Sequence, residues 1–278
     1  MPNYGYHMAR LQGRVVQQAY ERLLPVIAGR RIRSKRELPI DVFSYSGQTR
    51  LAEQVASIRS FLKNAGRPTR FVVVSDGSHT LETIKLLCRV DECVSVESVP
   101  PPSLSADDRF HSYLRNHPTG KQLSVVMSLP REMPALYTDS DVHFFAGARD
   151  LQNVIESNTM PAVYLQDCGF AGDRRLLRNG EEKLTPVNTG VLLIRRSLDW
   201  SLGISRFDEL NGAPDFFTNQ TITHLVMHAN DAQPFDPSRY VLQLDDQFMY
   251  RDRYAGPKIA LRHYVEPVRH KFWTSVIR

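Results

Sequence analysis

Two aspartates, Asp139 and Asp141, bracket Ser140 inside the apolar run ALYTDSDVHFF, residues 135–145. A carboxylate buried without a partner costs several kcal/mol, so a pair of them in such a run requires compensation. Along an extended chain residues i and i+2 point the same way, so both carboxylates can converge on one point. Mg²⁺ and Mn²⁺ take oxygen ligands of this kind, typically one or two carboxylates completed by substrate phosphates. A divalent ion there would relieve the repulsion between the carboxylates and neutralise a diphosphate.

Other polar groups sit where such a site could use them. Ser44-Tyr45-Ser46-Gly47 and Ser75-Asp76-Gly77-Ser78 each follow an apolar stretch, as does Asp139-Ser140-Asp141. Open α/β sheets bind ligands at the carboxyl ends of their strands, so three such ends together carry more than ordinary turn chemistry does singly. Asn188 and Gly190 interrupt another apolar stretch. A glycine in a strand lets a ligand or another backbone come close, and an amide offers both a donor and an acceptor; a bulge or turn explains the pair equally. Asp167 ends the stretch YLQ in the same manner, with turn formation as its alternative. His224 and His228 are spaced i, i+4, but Leu225 stands where a zinc protease carries its glutamate, so they read as structural. SDGSHT holds Ser, Asp and His in one turn, which is no triad, and no P-loop, GxSxG or GxGxxG occurs.

The elements that must position these groups follow from periodicity. PIDVFSYSG reads as a strand and loop, and QTRLAEQVASIRSFLKNAG as a helix with Leu51, Val55, Ile58 and Leu62 on one face and Gly66 ending it. TRFVVVSDGS is a strand buried on both faces, HTLETIKLLCRV a helix and CVSVESV a third strand. This alternation predicts an α/β fold: a Rossmann-like, mostly parallel central sheet flanked by helices in a single domain. VPPPSL, residues 99–104, reads as a loop.

The body spans 39–278, and residues 1–38 form a basic N-terminal helix and linker. Within 8–28, Leu11, Val15, Ala19, Leu23 and Ile27 fall near one face, the face expected to pack on the body. A second reading of this segment is attachment to an anionic membrane surface. Net charge is +6 over residues 1–40, −6 over 41–250 and +5 over 251–278. That distribution, without interleaved aromatic and basic residues, disfavours nucleic acid as a partner. No apolar run reaches membrane-spanning length and no secretory signal is evident, while three unpaired cysteines suit a reducing compartment. The expected location is cytoplasmic, with peripheral contact at the inner membrane surface as the second reading.

LYTDSDVHFF resembles the Asp-x-Asp element of nucleotide-diphospho-sugar glycosyltransferases of the GT-A fold, most nearly the bacterial relatives of glycosyltransferase family 8. VNTGVLLIRR (187–196), FFTNQTITHLV (216–226) and LRHYVEPVRHKFW (261–273) are similar, in order, to three further segments of that family, so the resemblance covers about residues 39–273. It implies a GT-A-like fold and metal-dependent transfer of a sugar from a nucleotide diphosphate donor, UDP favoured, to a hydroxyl of a glycan, lipid or small molecule, with retention at the anomeric carbon. It implies Mn²⁺ or Mg²⁺ on Asp139, Asp141 and His263. It further implies diphosphate contacts from Ser140, Arg269, Lys271 and Lys121, nucleoside contacts near Ser44, Tyr45 and Asp76, and sugar contacts from Asp167, Asn188 and Gln220. Taken alone, His263 reads as a buried histidine bonded to backbone, and Arg269 and Lys271 as a solvated basic tail.

Two departures from the family pattern stand out. Asn219 replaces the acidic residue before Gln220, and an amide is neither base nor carboxylate nucleophile; helix capping is its other reading. Glu266 and Pro267 follow HYV, where the family's tail continues differently. A non-catalytic nucleotide-sugar or glycan-binding module therefore stands as the alternative, and a sugar nucleotidyltransferase as a third, lacking its Gly-rich basic loop.

Overall fold

The computed structural model describes residues 3–33, 36–101, 107–157 and 159–277. Part of the proline loop at 99–104 and of the basic linker lies outside these residues. The elements run, in chain order, α1 (Tyr4–Gly29), β1 (Glu37–Ser46), α2 (Leu51–Asn64), β2 (Arg67–Ser75), α3 (Leu81–Cys88), β3 (Val94–Ser98), α4 (Asp108–Asn116), α5 (Pro118–Met127), β4 (Ala135–Thr138), β5 (Val142–Phe144), α6 (Leu151–Glu156), β6 (Ala162–Gln166), β7 (Val187–Ile194), α7 (Ser201–Asp208), α8 (Thr218–Ala229), β8 (Gln233–Pro234), β9 (Tyr240–Val241), β10 (Leu261–His263) and α9 (His270–Val276).

A seven-stranded sheet of order β3-β2-β1-β4-β7-β6-β8 forms the centre. β3, β2, β1 and β4 are parallel neighbours, whereas β7 runs antiparallel to both β4 and β6. Apolar side chains on one face pack with α1, α2, α3 and α9 around Val42, Phe61 and Phe272, and those on the other with α4, α5, α7 and α8 around Tyr137, Phe207 and Ile222. The expected α/β architecture is what forms. Alternation of helix and strand buries both faces of β1, β2, β4 and β7, which is why those strands read as nearly continuous apolar runs. Gly66 follows α2 at φ +144°, and a side chain there would also meet the Arg36 carbonyl at 3.0 Å.

A small second sheet, β5-β10-β9, stands beside the first. It pairs Val142 with His263 in antiparallel register, so the segment after Asp141 receives the chain's C-terminal strand. Successive side chains of β10 face opposite ways. His263 turns to the aspartates, while Arg262 is wholly buried on the other side. There Arg262 donates to Asp246 at 2.7 and 2.9 Å, to Asp252 and to the Gln243 carbonyl, and lies between the Tyr254 and Tyr264 rings.

Lys271 belongs to this buried cluster, with Nζ 3.0 Å from an Asp246 carboxylate oxygen and donating to the backbone oxygens of Asp246 and Arg251. That corrects the expectation of a diphosphate contact, because the ammonium is fully buried and its hydrogen bonds go to this cluster. The N-terminal helix needs a correction too. α1 packs on the body as expected, but through Ala9, Gly13, Leu24 and Ala28, with Val16, Tyr20 and Ile27. Leu11, Val15 and Leu23 are each more than half exposed and Ala19 is exposed too, so of the apolar stripe expected inside only Ile27 packs inward.

Burial alone would raise the Asp246 carboxyl, yet Arg262 and Lys271 draw it down to about 2. A carboxyl depressed by folding stabilises the chain above its unfolded value of about 3.9, and that contribution disappears as pH falls through about 2. Asp246→Ala is expected to cost about 3–5 kcal/mol at neutral pH, read by denaturant unfolding, because it strands the Arg262 and Lys271 charges. The gap between parent and variant should narrow between about pH 4 and pH 2; a gap that holds constant there would contradict this account.

Candidate functional site

Asp139 follows β4, Asp141 precedes β5 and His263 closes β10. Strand pairing therefore brings together carboxylates and an imidazole more than a hundred residues apart. Three ligand atoms, one from each residue, lie within 4.8 Å of one another. His263 Nε2 is 3.0 Å from Asp141 Oδ1 and 3.6 Å from Asp139 Oδ2. Cis ligands of an octahedral ion with bonds of about 2.1 Å stand about 3.0 Å apart, so these separations suit one small divalent ion.

The hydrogen bonds around His263 add a stronger reason. Asn188 Oδ1 accepts from the Gly190 N–H at 2.9 Å, and Asn188 Nδ2 donates to Asp167 at 3.0 Å, which fixes the amide's orientation. His263 Nδ1, 2.9 Å from the same Oδ1, must then be the donor. In the neutral imidazole the Nε2 lone pair faces two carboxylates, and three acceptors converge with no proton among them. A proton or a cation must occupy that point. Burial would lower the pKa of His263, but Asp141 and Asp139 outweigh it and raise it. Burial lifts the Asp139 carboxyl to about 6, with His263 opposing and Asp141 adding. Asp141, which burial would also lift, is held below the ordinary carboxylate range by His263 and Arg269. A divalent ion can take the place of the proton these groups otherwise share.

The supporting shell is extensive. Tyr137 and Gln122 donate to Asp139 Oδ1 at 2.8 and 3.0 Å, and Asn219 donates to Gln122 at 2.8 Å. Gly190 sits under the imidazole: a Cβ there would lie 2.1 Å from His263 Cε1. The close approach that glycine permits is thus to a ring, not to a backbone. The Gly190 carbonyl also accepts the Asp139 N–H at 2.8 Å, tying β7 to the aspartates.

Arg269 reaches the cluster, with one guanidinium nitrogen 3.3 Å from Asp141 Oδ2 and two others on Glu53 at 2.7 and 3.1 Å. A cleft of about 350 Å³ opens beside it, walled by α1 and the start of α2. Asp167 and Gln220 stand next to Asn188, Gln220 Nε2 lying 3.4 Å from Asp167 Oδ2 and 2.7 Å from the Ala171 carbonyl. Asp76 and Lys121 meet at the β2 end, where Nζ donates to the Asp76 carbonyl at 3.1 Å, and Tyr45 lies half-buried on the neighbouring strand end. Ser140 is buried between its aspartates.

Ser44 departs from expectation. It is fully buried and donates to Gln54 at 2.8 Å, so it braces α2 against β1 and is not exposed to a ligand. Asn219 is not a helix cap, since it lies inside α8 and its amide joins the Gln122–Asp139 chain. His224 and His228 bond the backbone carbonyls of Glu181 and Thr185, in keeping with their structural reading. Sequence reasoning missed Tyr137, Gln122 and Glu53. Tyr137 reads as one more apolar strand residue, and only Glu53 carried a signal, an acid in the first turn of a helix.

No protein-family model matches the chain, and no curated protein sequence does either. Solved structures do. The galactosyltransferase LgtC, in complex with donor and acceptor sugar analogues, superposes with a TM-score of 0.51 at 13% identity, covering 85% of this chain and 95% of that one. The glycosyltransferase GlyE of Streptococcus pneumoniae, in its apo form, gives 0.55 at 14% identity over 87% of this chain and 61% of its own. Mouse xyloside xylosyltransferase 1 gives 0.52 at 12% identity over 84% and 99%. The fold is GT-A-like. In that fold the cluster lies on LYTDSDVHFF and LRHYVEPVRHKFW, and Asn188, Gly190 and Asn219, which support it, lie on VNTGVLLIRR and FFTNQTITHLV.

Because Asn188 sets the imidazole tautomer and Gly190 gives the ring room, both should control ion affinity without being ligands. Asn188→Ala is expected to weaken Mn²⁺ binding by about 10–100-fold in calorimetry, and Gly190→Ala at least as much. Unchanged affinity in both would remove His263 from the ligand set.

Proposed function

We propose that the chain is a metal-dependent glycosyltransferase that moves a sugar from a nucleoside diphosphate, UDP favoured, to an acceptor hydroxyl. The observation that carries this reading is the convergence of Asp139, Asp141 and a tautomer-fixed His263, on a scaffold shared with glycosyltransferases. A divalent ion held there, Mn²⁺ or Mg²⁺, would supply Lewis-acid stabilisation of the departing diphosphate. Mixed carboxylate and imidazole ligation suits Mn²⁺ better than Mg²⁺.

The chain's own groups divide the remaining work. Arg269, with Nε and Nη2 bonded to Glu53, keeps further N–H groups on Nη1 and Nη2 to hold a phosphate in bidentate fashion. Tyr45 and Asp76, at the β1 and β2 ends, hold the nucleoside, and Lys121 beside them reaches its phosphates. Asp167, with Asn188 and Gln220 both donating to it, orients the sugar hydroxyls and the anomeric carbon together with them. The bond from that carbon to the diphosphate breaks, the acceptor oxygen bonds in its place, and the acceptor's proton leaves to a base. Asn219 cannot be that base. Asp167 is the carboxylate on the sugar side of the site, and retention is the stereochemical outcome the family resemblance favours.

Asn219 supports a second reading, a nucleotide-sugar-binding module without turnover. Its amide is spent on Gln122 and on the Gln220 N–H, so it supports Asp139 and offers no acid–base group.

Titrating UDP, with GDP for comparison, into the protein with and without Mn²⁺ tests the shared premise. UDP should bind only with the ion present, and Asp141→Ala should abolish that binding. Binding indifferent to both the ion and Asp141 would sink both readings. Release of UDP from UDP-sugars then separates them: the transferase releases it, and Gln220→Ala slows release on the order of a hundredfold. The module binds and releases nothing.

A further inference from the structure

We propose that α1, together with the loop at Phe248–Tyr250, docks the protein on an anionic lipid surface. A helix packed on a globular body ordinarily carries polar residues on its outer side. α1 does not. Tyr4, Met8, Leu11, Val15 and Val26 recur every three or four residues along that side, or at multiples of that spacing, and with Leu23 beside them they are 54–74% exposed. The stripe runs about 33 Å, at 1.5 Å per residue.

The loop at 248–250 adjoins α1 and adds exposed apolar groups of its own. Phe248 packs its ring against Tyr6 at 5.6 Å and Tyr250 donates to Gln12 at 3.0 Å, which ties the loop to α1. Phe248, Met249 and Tyr250 are nevertheless 57, 45 and 48% exposed. Aromatic and sulfur-bearing side chains at a loop tip beside an amphipathic helix suit a headgroup boundary, where an apolar body and a polar end are both accommodated.

Charge selects the occupant. Residues 3–33 hold six arginines, at 10, 14, 22, 30, 31 and 33, against the single acid Glu21. Arg22 lies on the stripe itself, and Arg10 and Arg14 line one edge. Pairing two copies through this face would oppose arginines with arginines, whereas an anionic bilayer neutralises them. Each arginine at such a surface adds about fivefold in affinity, and apolar insertion adds the second contribution that lasting attachment needs.

This inference does not depend on the proposed transfer activity. The test is sedimentation of the full chain with vesicles of phosphatidylcholine, alone or mixed with phosphatidylglycerol. Binding is expected only to the mixed vesicles, weakening as salt rises. Arg14→Glu with Arg22→Glu should weaken it by more than about tenfold, and Leu11→Ser with Val15→Ser comparably. All four positions are exposed, so thermal melting and Mn²⁺ binding should stay at parent values. A chain left in the supernatant with mixed vesicles would overturn the proposal, as would binding that neither variant changes. A dimer in light scattering that Leu11→Ser with Val15→Ser converts to monomer would assign the stripe to self-association and overturn it too.

Discussion

Three lone-pair-bearing groups aimed at one point are the constraint on which the rest of the structure turns. Asp139, Asp141 and His263 Nε2 repel one another unless something positive lies between them, and the surroundings hold them there regardless. Asn188 does so by accepting the imidazole's only neutral-state proton, and Gly190 by leaving space for the ring. Tyr137 helps as a donor, since burial and the neighbouring Asp139 keep its hydroxyl protonated. A preformed cation site differs from a chance acidic cluster in this respect. The orientation of its ligands is set by groups that are not themselves ligands.

Holding His263 in place takes a second buried charge system back to back with the first. Arg262 and His263 are adjacent on β10, so the anchoring of one positions the other. Asp246, Asp252 and Lys271 surround Arg262 without access to water, and Tyr264 donates to Asp252 at 2.7 Å. A buried cluster of this kind contributes little net stability against an apolar equivalent. Its use is register. The three-residue β10 has few ladder hydrogen bonds, and a slip by one residue would carry His263 to the opposite face. The multiple, directional bonds of Arg262 oppose that slip.

The architecture was legible where periodicity dictates it. Buried parallel strands must be apolar throughout and their flanking helices must alternate, so β1 to β3 and α2 and α3 can be read directly. The Asp139–Asp141 pair was legible because charge inside an apolar run is conspicuous. The contents of the C-terminal segment were not. Arg269 and Lys271 are two residues apart with similar side chains, yet one reaches Asp141 and the other is sealed against Asp246. The difference arises where β10 passes into α9, a turn of geometry that residue type does not encode. Ser44 and Tyr45 divide similarly, because alternation along β1 buries one against Gln54 and leaves its neighbour at the strand end.

The α1 helix shows a related limit of periodicity. Its sequence carries two apolar stripes on opposite sides, Leu11–Val15 and Gly13–Val16–Tyr20–Leu24, and hydrophobicity alone does not decide between them. Packing chose the other. Gly13 lies against the His270 carbonyl so closely that a Cβ would be 2.3 Å from it, and Tyr20 meets the Trp273 ring at 5.3 Å. Gly13 lets α1 approach α9 until the backbones nearly touch, and a Leu11 or Val15 side chain could not enter that space. Complementarity of shape thus decides which face turns inward. The Leu11–Val15 stripe is left outside, bordered by arginines, and the same choice builds one wall of the cleft beside Arg269.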